Sequence, residues 1–263
     1  MFGSNLNYDC DFFVDGQRLS GIESVDIQYS NAAVVTKPLG YTHGTTTIGG
    51  ATQQTVSLSR YLIYDDPIYD HTGNTNISGS IHYGGISYGF ESGYLKDYAV
   101  NVAVGNVPRV NANIAVYDEM RSGYSASGNV AHPSIEIPSQ GSISITSDWS
   151  STNRVIGMDY SVTCLRKPYY TIGSESPLSV TLLPPLEITA SIQIDVDEAF
   201  LASGYSFLGD DKENKTVILQ VDGRDGSTIE AMSVPNASLV SESLSASSEG
   251  SLILTQEYVG HSA

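Results

Sequence analysis

The sequence predicts a mostly-β protein built from two similar halves. Three observations carry this reading: apolar residues recur with period two, helical periodicity is nearly absent, and one order of elements occurs twice. The alternation is clearest in Ser24-Val25-Asp26-Ile27-Gln28-Tyr29, Asn101-Val102-Ala103-Val104, Asn113-Ile114-Ala115-Val116-Tyr117, Ser142-Ile143-Ser144-Ile145 and Ser161-Val162-Thr163-Cys164. Successive side chains of a strand point to opposite faces, so each stretch reads as half-buried, apolar on one face and polar on the other. β-Branched and aromatic residues fill the stretches, and Gly, Pro, Asn and Asp cluster between them.

In chain order, the first half runs from the Ser24 strand through Lys37-Pro38 to a strand with Val56, Leu58, Leu62 and Tyr64 in alternation. Asp66-Pro67 then predicts a short helix to about His71, with Asp66 capping its first turn and Gly73 stopping it. A strand over 77–83 follows, and a closing strand pair over 94–104 and 107–117. The second half repeats the order at an offset of about 120–140 residues. Lys167-Pro168 follows a strand, Ile188, Ala190, Ile192, Ile194 and Val196 alternate, and Asp197-Glu198 opens a second short helix stopped by Gly204. A strand over 216–222 and a pair over 238–246 and 251–258 complete it. Residues 153–162 read as an insertion particular to the second half. The boundaries drawn from this pattern are a first domain over 1–122, a Gly-, Ser- and Pro-rich linker over 123–138, and a second domain over 139–263.

Composition narrows the function classes. Twelve Lys+Arg stand against 29 Asp+Glu, a net charge of −17, yet charged residues are only 16% of the chain. Ser (37) and Thr (18) dominate the polar surface instead, which excludes a protein that neutralises nucleic-acid phosphates. Both halves share the acidity: divided at residue 131, the first has six basic and twelve acidic residues, the second six and seventeen. The N-terminus has neither a basic start nor an apolar core, so no signal peptide is expected, and no apolar run is long enough for a membrane helix. Cys10 and Cys164 are expected as reduced thiols in a protein folded in a cytoplasm.

The motifs of chemistry are missing. His43, His71, His82, His132 and His261 have no metal-ligand spacing, and neither Gly-x-Ser-x-Gly, His-Glu-x-x-His nor a phosphate-cradling loop occurs. Asp65-Asp66 and Asp195, Asp197, Glu198 lack the spacing of a calcium loop and read as helix caps. No enzyme activity, cofactor or metal is expected. Two long stretches with few charges, 36–52 and 166–185, occupy matching places in the halves. Their Tyr, Ile and Leu make them poor solvent loops and suit them to contact with another subunit.

Several segments together resemble a known family. Gly16-Gln17-Arg18-Leu19-Ser20-Gly21-Ile22-Glu23-Ser24-Val25 opens the strand pattern, followed by Ser57-Leu58-Ser59-Arg60-Tyr61-Leu62, Asp66-Pro67, Thr72-Gly73, Ser92-Gly93-Tyr94-Leu95-Lys96-Asp97-Tyr98 and Gly105-Asn106-Val107-Pro108. This resembles the tail-tube proteins of long-tailed bacteriophages, in a variant that fuses two tube domains in one chain. The likeness covers roughly residues 10–118, and extends to the second half by strand order. The resemblance implies two tandem β-sandwich or half-barrel domains, each with one flanking helix, in the tail of a virion. Three such chains would form a pseudo-hexameric ring, and rings would stack into a tube through which DNA passes without specific binding. An acidic inner face would then be formed by Glu23, Asp26 and Asp97 in the first half and Asp148 and Glu242 in the second. Ring-to-ring contacts would come from Lys37, Pro38, Tyr41 and Ile48, and from Tyr169, Tyr170 and Leu182. The rival classes are another virion part (terminator, neck, distal-tail or decoration protein) and a carbohydrate-binding sandwich. A lone Trp149 and dispersed tyrosines speak against the last.

Overall fold

The computed structural model of the chain describes residues 10–30, 33–36, 45–48, 53–83, 85–129, 135, 137–147, 154–174, 176–197, 200, 202, 213–246 and 252–262. The protein is mostly β, with a large antiparallel sheet and no helix as long as seven residues among the described residues. Nor is any described helix long and apolar enough to cross a membrane. The chain opens with β1 (Cys10–Val14), β2 (Gly16–Leu19) and β3 (Ile22–Ser30), then the hairpin β4 (Ala33–Thr36) and β5 (Thr45–Ile48), then β6 (Gln53–Tyr61). A single 3₁₀ turn, Tyr69–Thr72, leads to β7 (Ile77–Tyr83), β8 (Ile86–Ala103) and β9 (Arg109–Val116). Two short strands follow, β10 (Arg121–Ser122) at the end of the expected first domain and β11 (Ser127–Asn129) within the expected linker, and β11 pairs parallel with β2.

The remainder follows a matching plan. β12 (Ile143–Ser147) and β13 (Val155–Thr163) precede the hairpin β14 (Arg166–Tyr169) and β15 (Ser179–Leu182); then come β16 (Leu186–Val196), β17 (Lys215–Asp222), β18 (Thr228–Ala246) and β19 (Leu252–Ser262). Residues 153–162 are therefore not an insertion. Nearly all of them belong to β13, which pairs β16 as β3 pairs β6. The sequence pattern showed only the end of this strand, Ser161-Val162-Thr163, because Val155-Ile156-Gly157 at its start breaks the alternation that Met158, Tyr160 and Val162 keep.

The long strands β8 and β18 organise the sheet. The first part of β8 pairs with β7; from Gly93 to Asn101 it pairs with β9 and from Asp97 to Ala103 with β13 on its other side. Likewise β18 pairs first with β17 and then with β19. The result is one antiparallel run in the order β3-β6-β9-β8-β13-β16-β19-β18, whose middle joint is β8·β13. Irregularities recur at matched places. A residue is bulged out of β3 between Ile22 and Ser24, and out of β13 between Val155 and Gly157. β8 bulges between Leu95 and Asp97, and β18 between Leu239 and Ser241. β7·β8 shifts between Ile77 and Gly79, as β17·β18 does between Lys215 and Val217. A bulge is a local, inheritable kink in a ladder, so coincidence of three is a specific likeness between the halves.

One face of this run is buried. Val56, Leu58, Tyr98, Val100, Val110, Ile114, Met158, Tyr160, Val162, Ile188, Ile192, Ile194, Leu254 and Tyr258 join Phe12, Phe90, Val217, Leu219, Met232 and Val234 in a single apolar cluster. The Tyr69 and Tyr160 hydroxyls, 2.9 Å apart, tie the 3₁₀ turn to β13.

The expected first helix is only that 3₁₀ turn. Asp66 Oδ1 accepts the Ile68 N–H at 3.0 Å across Pro67, but the helical stretch that follows is only four residues long and is already non-helical at His71, φ −94 and ψ 17. Of the second helix, Phe200 and Ala202 are helical, and Asp197 Oδ1 accepts the Phe200 N–H at 2.8 Å as a cap. Cys10 is exposed, Cys164 is buried, and both are free.

Candidate functional site

The opposite face of the eight-stranded run is polar, and cross-strand register assembles it. One row reads Asp26, Ser57, Asn113, Asp97, Thr163, Glu187 and His261. The next reads Ser24, Ser59, Asn111, Ala99, Ser161, Thr189, Val259 and Ser238, and a third Tyr61, Arg109, Asn101, Asp159, Ser191, Glu257 and Ser241. Period two produces this sorting, because each apolar residue counted above sends its neighbours to the other side.

Neighbouring side chains bond across the strands. Ser57 Oγ donates to Asn113 Oδ1 at 2.7 Å, Asn101 Nδ2 to Asp159 Oδ1 at 2.6 Å, and the Ser161 and Thr189 hydroxyls lie 2.6 Å apart. Arg109 Nη2 donates to Glu23 Oε1 at 2.9 Å. Between these residues the face hollows into a groove of about 350 Å³, lined among others by Asn101, Asp159, Thr189 and Glu257. Among the described residues, the carboxylates on this face and its bulges are Glu23, Asp26, Asp97, Asp159, Glu187, Asp195 and Glu257; its cations are Arg109, already paired, and Lys96 in the β8 bulge.

Glu23, Asp26 and Asp97 thus lie together on the polar face of the run. Glu242 does not. It faces Gln256, whose Nε2 donates to its Oε1 at 2.9 Å, on the same side as Leu239 and Tyr258. The bulged Val240 reverses the alternation, so Ser241, Ser243 and Ser245 take the polar face in its place. Asp148 lies outside the described residues. Asp159, Glu187, Asp195 and Glu257 were missed, although Glu187, Thr189, Ser191, Gln193 and Asp195 alternate with the apolar residues of β16 and were legible as its polar side.

Within the stretches expected at ring-to-ring contacts, the described residues include two antiparallel strand pairs, β4·β5 and β14·β15. Lys37, Pro38 and Tyr41 lie outside the described residues, and Ile48 ends β5. In the second hairpin Tyr169 and Tyr170 are exposed, as are Ile172 and Leu178, which pattern reading did not single out. Leu182 is partly buried and packs on the core, with its N–H donated to Asn74 Oδ1 at 2.8 Å. The hairpin base is anchored by Arg166, which donates to the carbonyls of Leu95 at 3.0 Å and His71 at 3.2 Å.

Behind the polar face lies a second group of charges. Arg60, fully buried on β6, sits 3.7 Å from Asp66 and donates to the Tyr64 hydroxyl at 3.1 Å. Tyr98 donates to Asp66 Oδ2 at 3.0 Å, and burial, then the Asp66 charge, hold its phenol far above the ordinary tyrosine range. Glu230 accepts the Asp66 N–H at 3.4 Å; burial, reinforced by Asp65 and Asp66, raises its carboxyl to about 7. Among the described residues no three His, Cys, Asp or Glu side chains gather as metal ligands. The polar face can present negative potential and a self-satisfied hydroxyl and amide surface. A scan of protein-family models finds no match to this chain, and a search of curated proteins finds none either.

Proposed function

We propose that this chain is a structural virion protein whose copies close into rings and stack into a phage tail tube, a channel for genome passage. One observation carries the reading: the continuous run from β3 to β18 has one acidic polar face, one buried face, and two outer strands that end the ladder among the described residues. On this reading each half is one tube domain, and the recurrence of strand order and bulges reflects a tandem duplication. Three chains of eight strands make a closed barrel of twenty-four, and closure removes both open edges of this run. With strands about 4.8 Å apart and tilted about 40°, such a barrel is about 48 Å across at the backbone, and about 10 Å less between inward side chains. That leaves an aqueous bore wide enough for a double helix.

The polar face lines the bore. A wall that repels phosphate weakly everywhere and binds it nowhere lets DNA slide. The exposed Tyr169, Tyr170, Ile172 and Leu178 of the β14–β15 hairpin suit contacts between stacked rings, since exposed apolar clusters mark interaction surfaces. The test is negative-stain microscopy of the purified protein. Tubes of uniform bore are expected; closed single rings that never stack would point to another virion part, and monodisperse monomers at high concentration would overturn the reading.

A further inference from the structure

The two outer strands of the run are open in a way that the middle of the chain is not. β3 pairs only with β6, and residues 238–246 of β18 only with β19, among the described residues. Neither segment carries the lysine or proline that usually blunts an exposed edge. Their counterparts in the other half are joined to each other. By the shared register, β3 corresponds to β13 with Ile27 at the place of Tyr160 and Tyr29 at that of Val162. The end of β18 corresponds to that of β8, with Leu244 at the place of Val100 and Glu242 at that of Tyr98.

Exposure follows the missing neighbour. Tyr160, Val162 and Val100 are 1%, 2% and 1% exposed, whereas Ile27, Tyr29 and Leu244 are 43%, 60% and 46% exposed. All belong to the side of the sheet that forms the core, so these side chains await a strand that the chain itself supplies only at β8·β13. We propose that a second copy of this chain supplies it: the end of β18 pairs antiparallel with β3 of the next copy, in the register that β8 and β13 hold within the chain. That register sets Tyr160 against Val100, Val162 against Tyr98 and Ser161 against Ala99. Transferred to the seam, Ile27 meets Leu244, Tyr29 meets Glu242, and Gln28 meets Ser243. One apolar pair is kept, and the tyrosine of the second pair moves to the other strand. The seam also gives Glu242 a role at the junction rather than in the bore.

The proposal deepens the ring reading and rests on it, and disulfide trapping separates the two. In a Cys10→Ser background, Gln28→Cys with Ser243→Cys places two thiols directly opposite each other on the polar face, where an oxidant reaches them. Covalent oligomers on a non-reducing gel are expected at least tenfold more abundantly than from the displaced pair Gln28→Cys with Ser245→Cys. Assembled particles that cross-link equally in both pairs, or better in the displaced pair, overturn the register while leaving the ring. Wild-type protein that never assembles overturns both. A second measurement guards against cysteine variants that do not assemble. Ile27→Lys and Leu244→Lys should each keep the circular dichroism of the folded monomer and abolish assembly; assembly at the wild-type level overturns the seam.

Discussion

Glu230 occupies the place where the β18 ladder meets the turn before Tyr69, and its surroundings are hostile to charge. Its carboxylate must share a half-buried site with Asp65 and Asp66, and it titrates near 7 rather than near 4.5. A carboxyl whose pKa is raised by folding favours the folded state while protonated. Its contribution is fully present below about pH 4.5 and is lost as pH rises through about 7. Since part of the side chain meets solvent, screening leaves about 1–2 kcal/mol of the nominal effect. Glu230→Gln should therefore be more stable than wild type by that amount at pH 8, and equal to it at pH 4.5. Urea midpoints at the two pH values check this, and a gain that is the same at both would show that the site is not titrating. Arg60 offsets the charge of Asp66 but not that of Glu230. Its Nε and second terminal nitrogen have no hydrogen-bond partner, so the pair is held by proximity and by the Tyr64 ring beneath the guanidinium, 4.5 Å away.

At the scale of the element, strands this long survive their glycines because other residues fill the space. A Cβ at Gly93 would come within 2.5 Å of Phe90 and 2.8 Å of Ile114, at the point where β8 leaves β7 for β9. Gly93→Ala should cost about 1–3 kcal/mol through overpacking, and Phe90→Leu in the same chain should recover part of it. Gly85→Ala, in open space at φ +82, should cost only about 1 kcal/mol through its backbone. Thermal or urea unfolding ranks the three variants. The same features explain what was legible in the sequence. Period two exposed the half-buried strands, the polar side of β3 and the place of Asp26, because alternation needs no partner to be read. Bulges are another matter, since they exist only relative to a paired strand. Reading 238–246 with unbroken period two puts Val240, Glu242 and Leu244 on one face with Ser238; the bulge at Val240 breaks that set and moved Glu242 off the polar face. The expected starts at 94 and 238 fall short for a similar reason. Each lies just after a register shift that β8 and β18 pass through, so both strands begin well before them.

For the whole molecule, the net charge of −17 matters less than where it lies. Asp26 and Asp159 hold equivalent places in β3 and β13, both on the polar face, so a three-chain ring would repeat a carboxylate six times around one level of the bore. At physiological salt a charge reaches only about 8 Å, so DNA inside such a ring would feel the wall layer by layer rather than as one distant field. On the proposed reading, reversing a single layer would then be enough to create a sticking point. Asp26→Lys with Asp159→Lys would replace that ring of carboxylates by ammonium groups, and neither position lies among the buried residues of the core. Tubes of normal appearance are expected, together with slower genome ejection from reconstituted virions and capture of short duplex DNA by purified tubes. Both effects should fade as salt is raised, because phosphate contacts are released by counterions. Asp26→Asn with Asp159→Asn should sit between the two, losing repulsion without adding attraction. Normal ejection from the lysine variant at low salt, with tubes intact, would mean that this face does not line the path of the DNA.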